Sequence, residues 1–572
     1  MSVEKFDAVI VGSGFGGSVM AYRLADAGMR VCLLERGRAY PPGSFPRTPS
    51  GMKQNFWDPS EGLFGLFDLW SFKKIEAMVS SGLGGGSLIY ANVLLRKDEK
   101  WFVKEDLAKG GYEHWPISRQ DLNPHYDRVE KMMGTARYPF HQEPYNETLK
   151  TGAFIEAADK LNLNWHHPPL AVTFGNEGEA PETGEPIGEA HRNLHNKTRY
   201  TCTLCGECDL GCNYGSKNTL DFNYLSEAKR LGADIRTLHE VRSFTPYQGG
   251  YEVTYVKHDL DMAGKPSNTR DMPLHRMQAD RLILAAGALG STYLMLKNRE
   301  ALPEVSKRLG SRFCGNGDLL SFIFDAKQKN SETGMYGPRV LNPNHGPVIT
   351  TTIRKGDSLD EDGSEGRGFY LQDAGYPSFL SWVAESVNTL ATVKRTIRLM
   401  KSLVMRRLIG DTNFSSEIQE FIGGRLSSTT VPLLGMGRDF PDGTLNIVKD
   451  KRGVPRLVND WHIKTSQTYF DSLKKTMKDM ARALDGKFIV NPTWMLKRVI
   501  TVHPLGGCPM GRSCEEGVVD SYGEVFNYDK LYVTDGSILP GPSGPNPALT
   551  IAAVADRSAD SIIEKYKSKN RK

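Results

Sequence analysis

The sequence predicts an α/β protein: a Rossmann-like domain with a parallel sheet, joined to a second domain of α+β character. Three observations predict it. The run Asp7–Val11 (DAVIV) is short, apolar and β-branched, and it leads straight into Gly12, Gly14 and Gly17 at G-x-G-x-x-G spacing. Such a run suits a strand buried on both faces of a parallel sheet. Strands of the same kind return at Arg281–Ala285 (RLILA) and, shorter, at Leu531–Thr534. From about residue 319 to 498 the character changes to long strands and polar loops.

The first loop carries the clearest chemistry. Gly12 lets the chain turn sharply, Gly14 lets backbone approach a pyrophosphate, and Gly17 lets the next helix pack closely on the strand. That helix, roughly Ser18–Ala27, aims its N-terminal N–H groups at the phosphates. Gly28 stops it, and Arg30–Leu34 supplies a second parallel strand. Glu35 ends that strand, where a carboxylate accepts hydrogen bonds from ribose hydroxyls. A glycine-rich turn without a ligand is the plainer reading. The strand, the helix and the acid at the right remove favour a dinucleotide, with NAD and FAD both open.

Bulk properties narrow the class. At 572 residues the chain is too long for one core, so two or three domains are expected. Lys+Arg 72 against Asp+Glu 67 leaves +5, which does not imply a nucleic-acid partner. The N-terminus runs directly into the first strand with no secretion pattern, and no apolar run approaches the roughly 18 residues of a membrane span. The expected compartment is therefore the cytosol, where the eight cysteines stay reduced unless they hold a metal or cluster.

After Glu35 comes a Pro/Gly-rich loop, then an aromatic patch with Phe56, Trp57, Phe64, Phe67 and Trp70. It reads equally as a satellite core and as an apolar lid over a substrate. Ser80–Ser87 (SSGLGGGS) is a second glycine cluster, built for close backbone approach to something flat or charged. Ser118 caps a helix ending at Gly134. Residues 135–195 read as loops with one helix near Thr151–Leu161. Another helix, Tyr224–Leu231, stops at Gly232. Asp234–Leu238 and Tyr251–Val256 read as strands of a small antiparallel element.

Cys202, Cys205, Cys208 and Cys212 follow C-x2-C-x2-C-x3-C, the bacterial ferredoxin spacing, with Asn213 where a proline usually follows. In a reducing compartment this points to soft-metal or cluster binding; an iron–sulfur cluster, a structural zinc and bare thiols are the three readings. In two-cluster ferredoxins the last cysteine serves the other cluster, so this run supplies three or four ligands to one. Leu390–Ile409 shows an apolar stripe flanked by Lys394, Arg395, Arg398, Lys401, Arg406 and Arg407 without an acid. A basic amphipathic helix can lie on an anionic membrane, although an ordinary solvated face gives the same pattern.

The first loop, the second glycine cluster, the WPIS…DLNPHYDRVE stretch, HPLGGCPMG at His503–Gly511 and the run Gly523–Arg557 together resemble the glucose–methanol–choline family of FAD-dependent alcohol oxidoreductases, and within it the cholesterol oxidase branch. The resemblance implies FAD rather than NAD. It also implies a Rossmann-like FAD-binding domain assembled from discontinuous segments, 1–134, 196–318 and 499–572, with 135–195 as a connecting insertion. Residues 319–498 are then an α+β substrate domain with a mainly antiparallel sheet. The candidate cofactor contacts are Gly12, Gly14, Phe15, Gly16, Gly17, Glu35 and Arg36 from the first loop. Gly82, Gly85, Gly86, Ser87 and Asn92 come from the second cluster, Val241, Ala286 and Gly287 from the middle. Asp535, Gly536, Asn546 and Pro547 come from the C-terminal run, where Pro547 opens the final helix.

Oxidising an alcohol requires a base for the hydroxyl proton while the carbinol hydride goes to flavin N5; a histidine suits the first task. The resemblance places His503 and Asn546 at the two catalytic motif positions. Steroid oxidases of the family also use a glutamate to move a double bond. The nearest stretch, Phe369–Pro377 (FYLQDAGYP), puts Gln372 there, and glutamine cannot act as that base.

The leading expectation is thus oxidation of a secondary alcohol in a bulky, apolar, steroid- or lipid-like molecule, with oxygen, a redox protein or a quinone as electron acceptor. A sugar or glycoside dehydrogenase passing electrons through a cluster is the second. A flavin and iron–sulfur electron carrier without alcohol turnover is the third.

Overall fold

The structure is a computed structural model that describes residues 3–107, 109–330, 333–376, 429–451 and 453–570. The basic stretch Leu390–Ile409 lies outside the described residues.

One sheet is organised around Glu4–Val11. Val31–Leu34 runs parallel on one side of it and His275–Leu284 parallel on the other. Asp234–Arg236 extends the sheet beyond Val31–Leu34, also in parallel. Leu531–Val533 lies parallel beside the end of His275–Leu284. The first half of that long strand pairs instead with Gly250–Lys257, which forms an antiparallel hairpin with His239–Tyr247. Ala8, Val9 and Ile10 are fully buried, as a strand covered on both faces requires.

The antiparallel element therefore differs from the sequence expectation. Tyr251–Val256 does belong to it, but Asp234–Arg236 is the outer parallel strand. Its pattern is three residues long, and the chain breaks at Leu238 in the left-handed region (φ 61°) before the real hairpin partner begins. Three residues are too few for periodicity to distinguish a parallel edge from a hairpin arm.

Helices cover this sheet. Phe15–Asp26 starts three residues earlier than the sequence suggests, with Gly14 as its N-cap. The C-terminal helix Ala548–Asn570 lies against it and against Arg119–Met133, whose Ser118–Asp121 capping box is formed. Asp556 draws them together: it pairs with Arg23 of one helix and with His125 (2.7 Å) and Arg128 (2.6 Å) of the other.

Among the described residues the second sheet has six strands, all antiparallel. Their order is Trp165–His166, Thr352–Lys355, Phe369–Asp373, Val431–Gly437, Leu319–Phe324 and Lys487–Val490. The helix Gln467–Ala483 buries Tyr469, Phe470, Leu473, Met477 and Met480, the spacing of one helical face, in the core that also holds Leu319, Phe369 and Leu433. The helix Leu149–Lys160 adds Phe154 and Ala157 to the same core. A small sheet of Phe67–Ser71, Ile75–Ser80 and Val499–Thr501 joins the glycine-rich N-terminal region to the segment leading into His503. No described helix is long and apolar enough to cross a membrane.

Candidate active site

The two glycine clusters meet face to face. A Cβ on Gly85 would lie 2.6 Å from Gly14 Cα, so Gly85 tolerates no side chain. Gly17 packs on Gly12, where a Cβ would come within 2.0 Å of the Gly12 carbonyl oxygen, and Gly16 packs equally closely on Thr534. Gly14, Gly86 and Gly287 differ: a Cβ on any of them would meet nothing within 4 Å. Their backbone faces open space at or beside the N-termini of helices, which is the geometry a phosphate needs.

Ser13, absent from the sequence reading, locks the two loops. Its hydroxyl donates to Glu35 Oε2 (2.6 Å) and accepts from Gly84 N–H (3.0 Å). Glu35 also accepts from Ser13 N–H and Gly37 N–H. Asp535 is engaged in the same way, accepting from Gly287 N–H, Ser291 Oγ and Ser537. Arg36 spends its guanidinium on Asp68 at 2.5 Å. These three charged candidates shape the loops by contacts with their own chain. Ser87 does likewise, donating to Gly84 O and accepting from Leu220 N–H. Val241 is buried in the core beneath the sheet. Ala286, Gly536 and Pro547 border the turns at three helix starts.

Polar groups left without protein partners outline what these loops hold. Asn92, fully buried and in the left-handed region (φ 68°), makes no hydrogen bond through Oδ1 or Nδ2. Ser81 Oγ and Thr534 Oγ1 are buried and unpartnered too. Burying such groups unpaired costs roughly 1–3 kcal/mol each. Together with the cleared faces of Gly14, Gly86 and Gly287, they fit a bound dinucleotide.

His503 follows the strand Val499–Thr501 and is 14% exposed in its side chain. Its Nδ1 lies 2.8 Å from Asp318 Oδ1, and Asp318 is buried. Asp318 Oδ2 accepts from Thr501 Oγ1 (2.9 Å), Val502 N–H (2.8 Å) and His503 N–H (3.2 Å). Surrounded by donors, the carboxylate serves as acceptor, so Nδ1 carries the hydrogen and Nε2 is left as the acceptor nitrogen. Among the described residues Nε2 meets no hydrogen-bonding partner.

The same short turn governs Asn546. Asn316, two residues before Asp318 and in the left-handed region (φ 52°), accepts from Gly544 N–H (3.0 Å) and donates to Pro545 O (3.2 Å). Lys97 clamps the loop from the other side, donating to Pro542 O and Ser543 O; burial brings its ammonium down to about 7. Gln372, from the centre of the second sheet, donates through Nε2 to Asn546 Oδ1 at 2.9 Å and accepts at 3.5 Å from Asn546 Nδ2, which leaves one N–H of that amide as a donor. Asp439 accepts from Gly315 N–H in the same turn, and burial pushes its carboxyl up to about 8. Residues 315–318 thus fasten both candidate catalytic residues to the second sheet. Asn316 and Asp318 carry no motif, so no local signal pointed to them.

The aromatic patch resolves toward one of its two readings. Phe56 and Phe67 join Tyr40, Phe45 and Leu88 in a satellite core beneath the loop. Trp57 packs on Phe64 and His258, and Trp70 stacks on Phe72.

All four cysteines of the C-x2-C-x2-C-x3-C run line one cavity, with Lys217 and Gly346 in its wall. Burial holds the Cys202 thiol well above its ordinary value and pushes Cys205 up to about 12.

Comparisons with known proteins bear on the family and the fold. Residues 440–555 match the family model described as GMC oxidoreductase, and residues 10–43 match an NAD(P)-binding Rossmann-like domain. The chain is 28% identical to a cholesterol oxidase of Mycobacterium tuberculosis, covering 97% of this chain and 90% of that one. It is 27% identical to a cholesterol oxidase of Acinetobacter baumannii, covering 98% and 95%. Identity to a 2-methyl-1,2-propanediol dehydrogenase of Mycolicibacterium austroafricanum is 23%, covering 99% and 96%. Among solved structures, pyridoxine 4-oxidase from Mesorbium loti aligns over 97% of this chain and 98% of its own with a TM-score of 0.56 at 16% identity, a likeness of fold.

Proposed function

We propose that this chain, an oxidoreductase of GMC type with cholesterol oxidase-like sequence, uses FAD to oxidise a secondary alcohol in a bulky apolar molecule of steroid or lipid class. The observation that carries the reading is the Asp318–His503 pair, set in the same turn that holds the Asn546 loop. FAD, when bound, supplies the acceptor for the carbinol hydride. Gly14, Gly86, Gly287 and Asn92 are the residues that would hold it. The substrate hydroxyl is held between His503 and Asn546. His503 Nε2 takes its proton, and Asp318 keeps the proton on Nδ1 and steadies the imidazolium that forms. Asn546 Nδ2 donates to the substrate oxygen, with its amide fixed by Gln372. Because a glutamine amide is neither acid nor base near neutral pH, this residue orients and does not shuttle protons between carbons. The apolar substrate class is supported by similarity to the cholesterol oxidases and to the Arabidopsis thaliana long-chain-alcohol oxidases, 22–23% identical over nearly all of this chain.

The test is flavin bleaching by alcohol in His503→Ala. The rate is expected to fall by roughly 10²–10⁴-fold at unchanged flavin content. An unchanged rate would remove His503 from the mechanism. A second reading, a dehydrogenase that delivers electrons to a redox protein or quinone and not to oxygen, is favoured by the cavity lined with four cysteines.

A further inference from the structure

The loop Cys202–Cys212 has no part in proton removal, yet it is built as tightly as the nucleotide loops. Its four cysteines wall one cavity, and none is in a disulfide. The backbone enters the left-handed region at Leu204 (φ 58°), Gly206 (67°) and Gly211 (87°) to close the loop. A Cβ at Gly206 would lie 2.7 Å from Asn344 O, and Gly211 is pressed against Phe45. A non-glycine residue held at positive φ in such a loop is strain that its surroundings must maintain.

Lys217, 1% exposed, donates to Cys208 O (2.7 Å) and Leu88 O (3.0 Å) beside the cavity, a buried positive charge next to four potential thiolates.

The spacing in sequence points to the occupant: C-x2-C-x2-C-x3-C is the run by which bacterial ferredoxins hold iron–sulfur cubanes, and here all four cysteines face one cavity.

We propose that Cys202, Cys205, Cys208 and Cys212 ligate one [4Fe–4S] cluster in this cavity. The site shares a wall with the nucleotide loops: the Lys217 ammonium sits 4.8 Å from the Tyr90 ring centre, and Tyr90 meets Phe15 edge-on at 5.5 Å. The purpose of the cluster rests on the proposed alcohol oxidation. Each carbinol converted to a ketone releases two electrons and two protons. When bound, the cluster would take those electrons one at a time and hand them to an external one-electron redox protein. The protons leave to solvent.

The test is iron and acid-labile sulfide analysis of full-length protein purified without oxygen, before and after reconstitution with ferrous iron and sulfide. About four of each per chain are expected, with an EPR signal after dithionite reduction. Cys205→Ser and Cys208→Ser are expected to lose bound iron about tenfold, whereas Cys514→Ser, outside the cavity, keeps it. Iron below about 0.5 per chain after reconstitution, or one zinc retained through it, overturns the proposal. Flavin content and bleaching by alcohol are read on the same samples. Iron-free protein whose flavin bleaches leaves the alcohol reading standing and removes the cluster. Iron-loaded protein whose flavin no alcohol bleaches does the reverse.

Discussion

Asp318 Oδ1 lies 2.8 Å from His503 Nδ1, while its other oxygen binds the backbone N–H of His503 itself at 3.2 Å. One carboxylate therefore fixes both the tautomer of the imidazole and the position of the residue that bears it. The Asp318→Asn variant offers an N–H group where an acceptor is needed, so either the ring turns or Nδ1 loses its hydrogen. The rate of flavin reduction is expected to fall by about 10²–10⁴-fold with flavin content unchanged, the scale of a mis-set histidine tautomer. Stopped-flow reduction per bound flavin checks this; a change below threefold would reduce Asp318 to a packing role.

Gln372 and Asn546 meet at 2.9 Å across two units of the fold, and the pair makes a prediction about the product. On the proposed reading, in which Asn546 meets the substrate oxygen, Gln372 brings an amide there that is neither acid nor base near neutral pH. Oxidation of a 3-hydroxy-5-ene sterol is expected to stop at the unconjugated ketone, read by product chromatography. Gln372→Ala frees the Asn546 amide, and its rate is expected to drop about tenfold. A conjugated ketone from the unaltered enzyme would show that another group moves the proton.

Much of the fold was legible because its signals are local. Asp7–Val11, the glycine spacing and the Ser118 cap each speak through residues a few positions apart, and all three stand in the structure. The site was legible only where a motif surrounds it. Asp318 reaches His503 across 185 residues and Asn316 reaches Gly544 across 228, so nothing near either in sequence marks its purpose. Ser13 stood inside a recognised motif and was still missed, since G-x-G-x-x-G leaves that position unspecified. The partner that gives it meaning, Gly84, belongs to the second glycine cluster.

Asp439 links the site to pH. Its carboxyl ionises near 3.8 when free, while burial raises it to about 8 in the fold. Between those values the folded protein holds a proton that the unfolded chain has released. The contribution is therefore intact below about pH 4 and is lost as pH rises through 8. Asp439→Asn cannot ionise and lacks this slope. Denaturant midpoints of the two proteins at pH 5 and pH 9 are expected to shift in the variant's favour at the higher pH, by a few kcal/mol at most. A parallel pH dependence would place the charge elsewhere.

Gly14 and Gly17 stand three residues apart and should fail differently. A methyl group on Gly17 meets the Gly12 carbonyl at 2.0 Å, backbone against backbone, so strand and helix must separate. Gly17→Ala is expected to destabilise the whole protein by about 1–3 kcal/mol, the usual cost of forcing extra volume into a packed interior. A methyl group on Gly14 meets no protein atom within 4 Å and enters only the space assigned to the pyrophosphate. Gly14→Ala is expected to leave the thermal stability of the apoprotein within about 0.5 kcal/mol while weakening FAD binding at least tenfold, since the added carbon denies the phosphate its close backbone contact. Flavin titration and apoprotein melting on both variants separate the two causes. Equal flavin affinity in Gly14→Ala and the unaltered protein would move the pyrophosphate away from this loop.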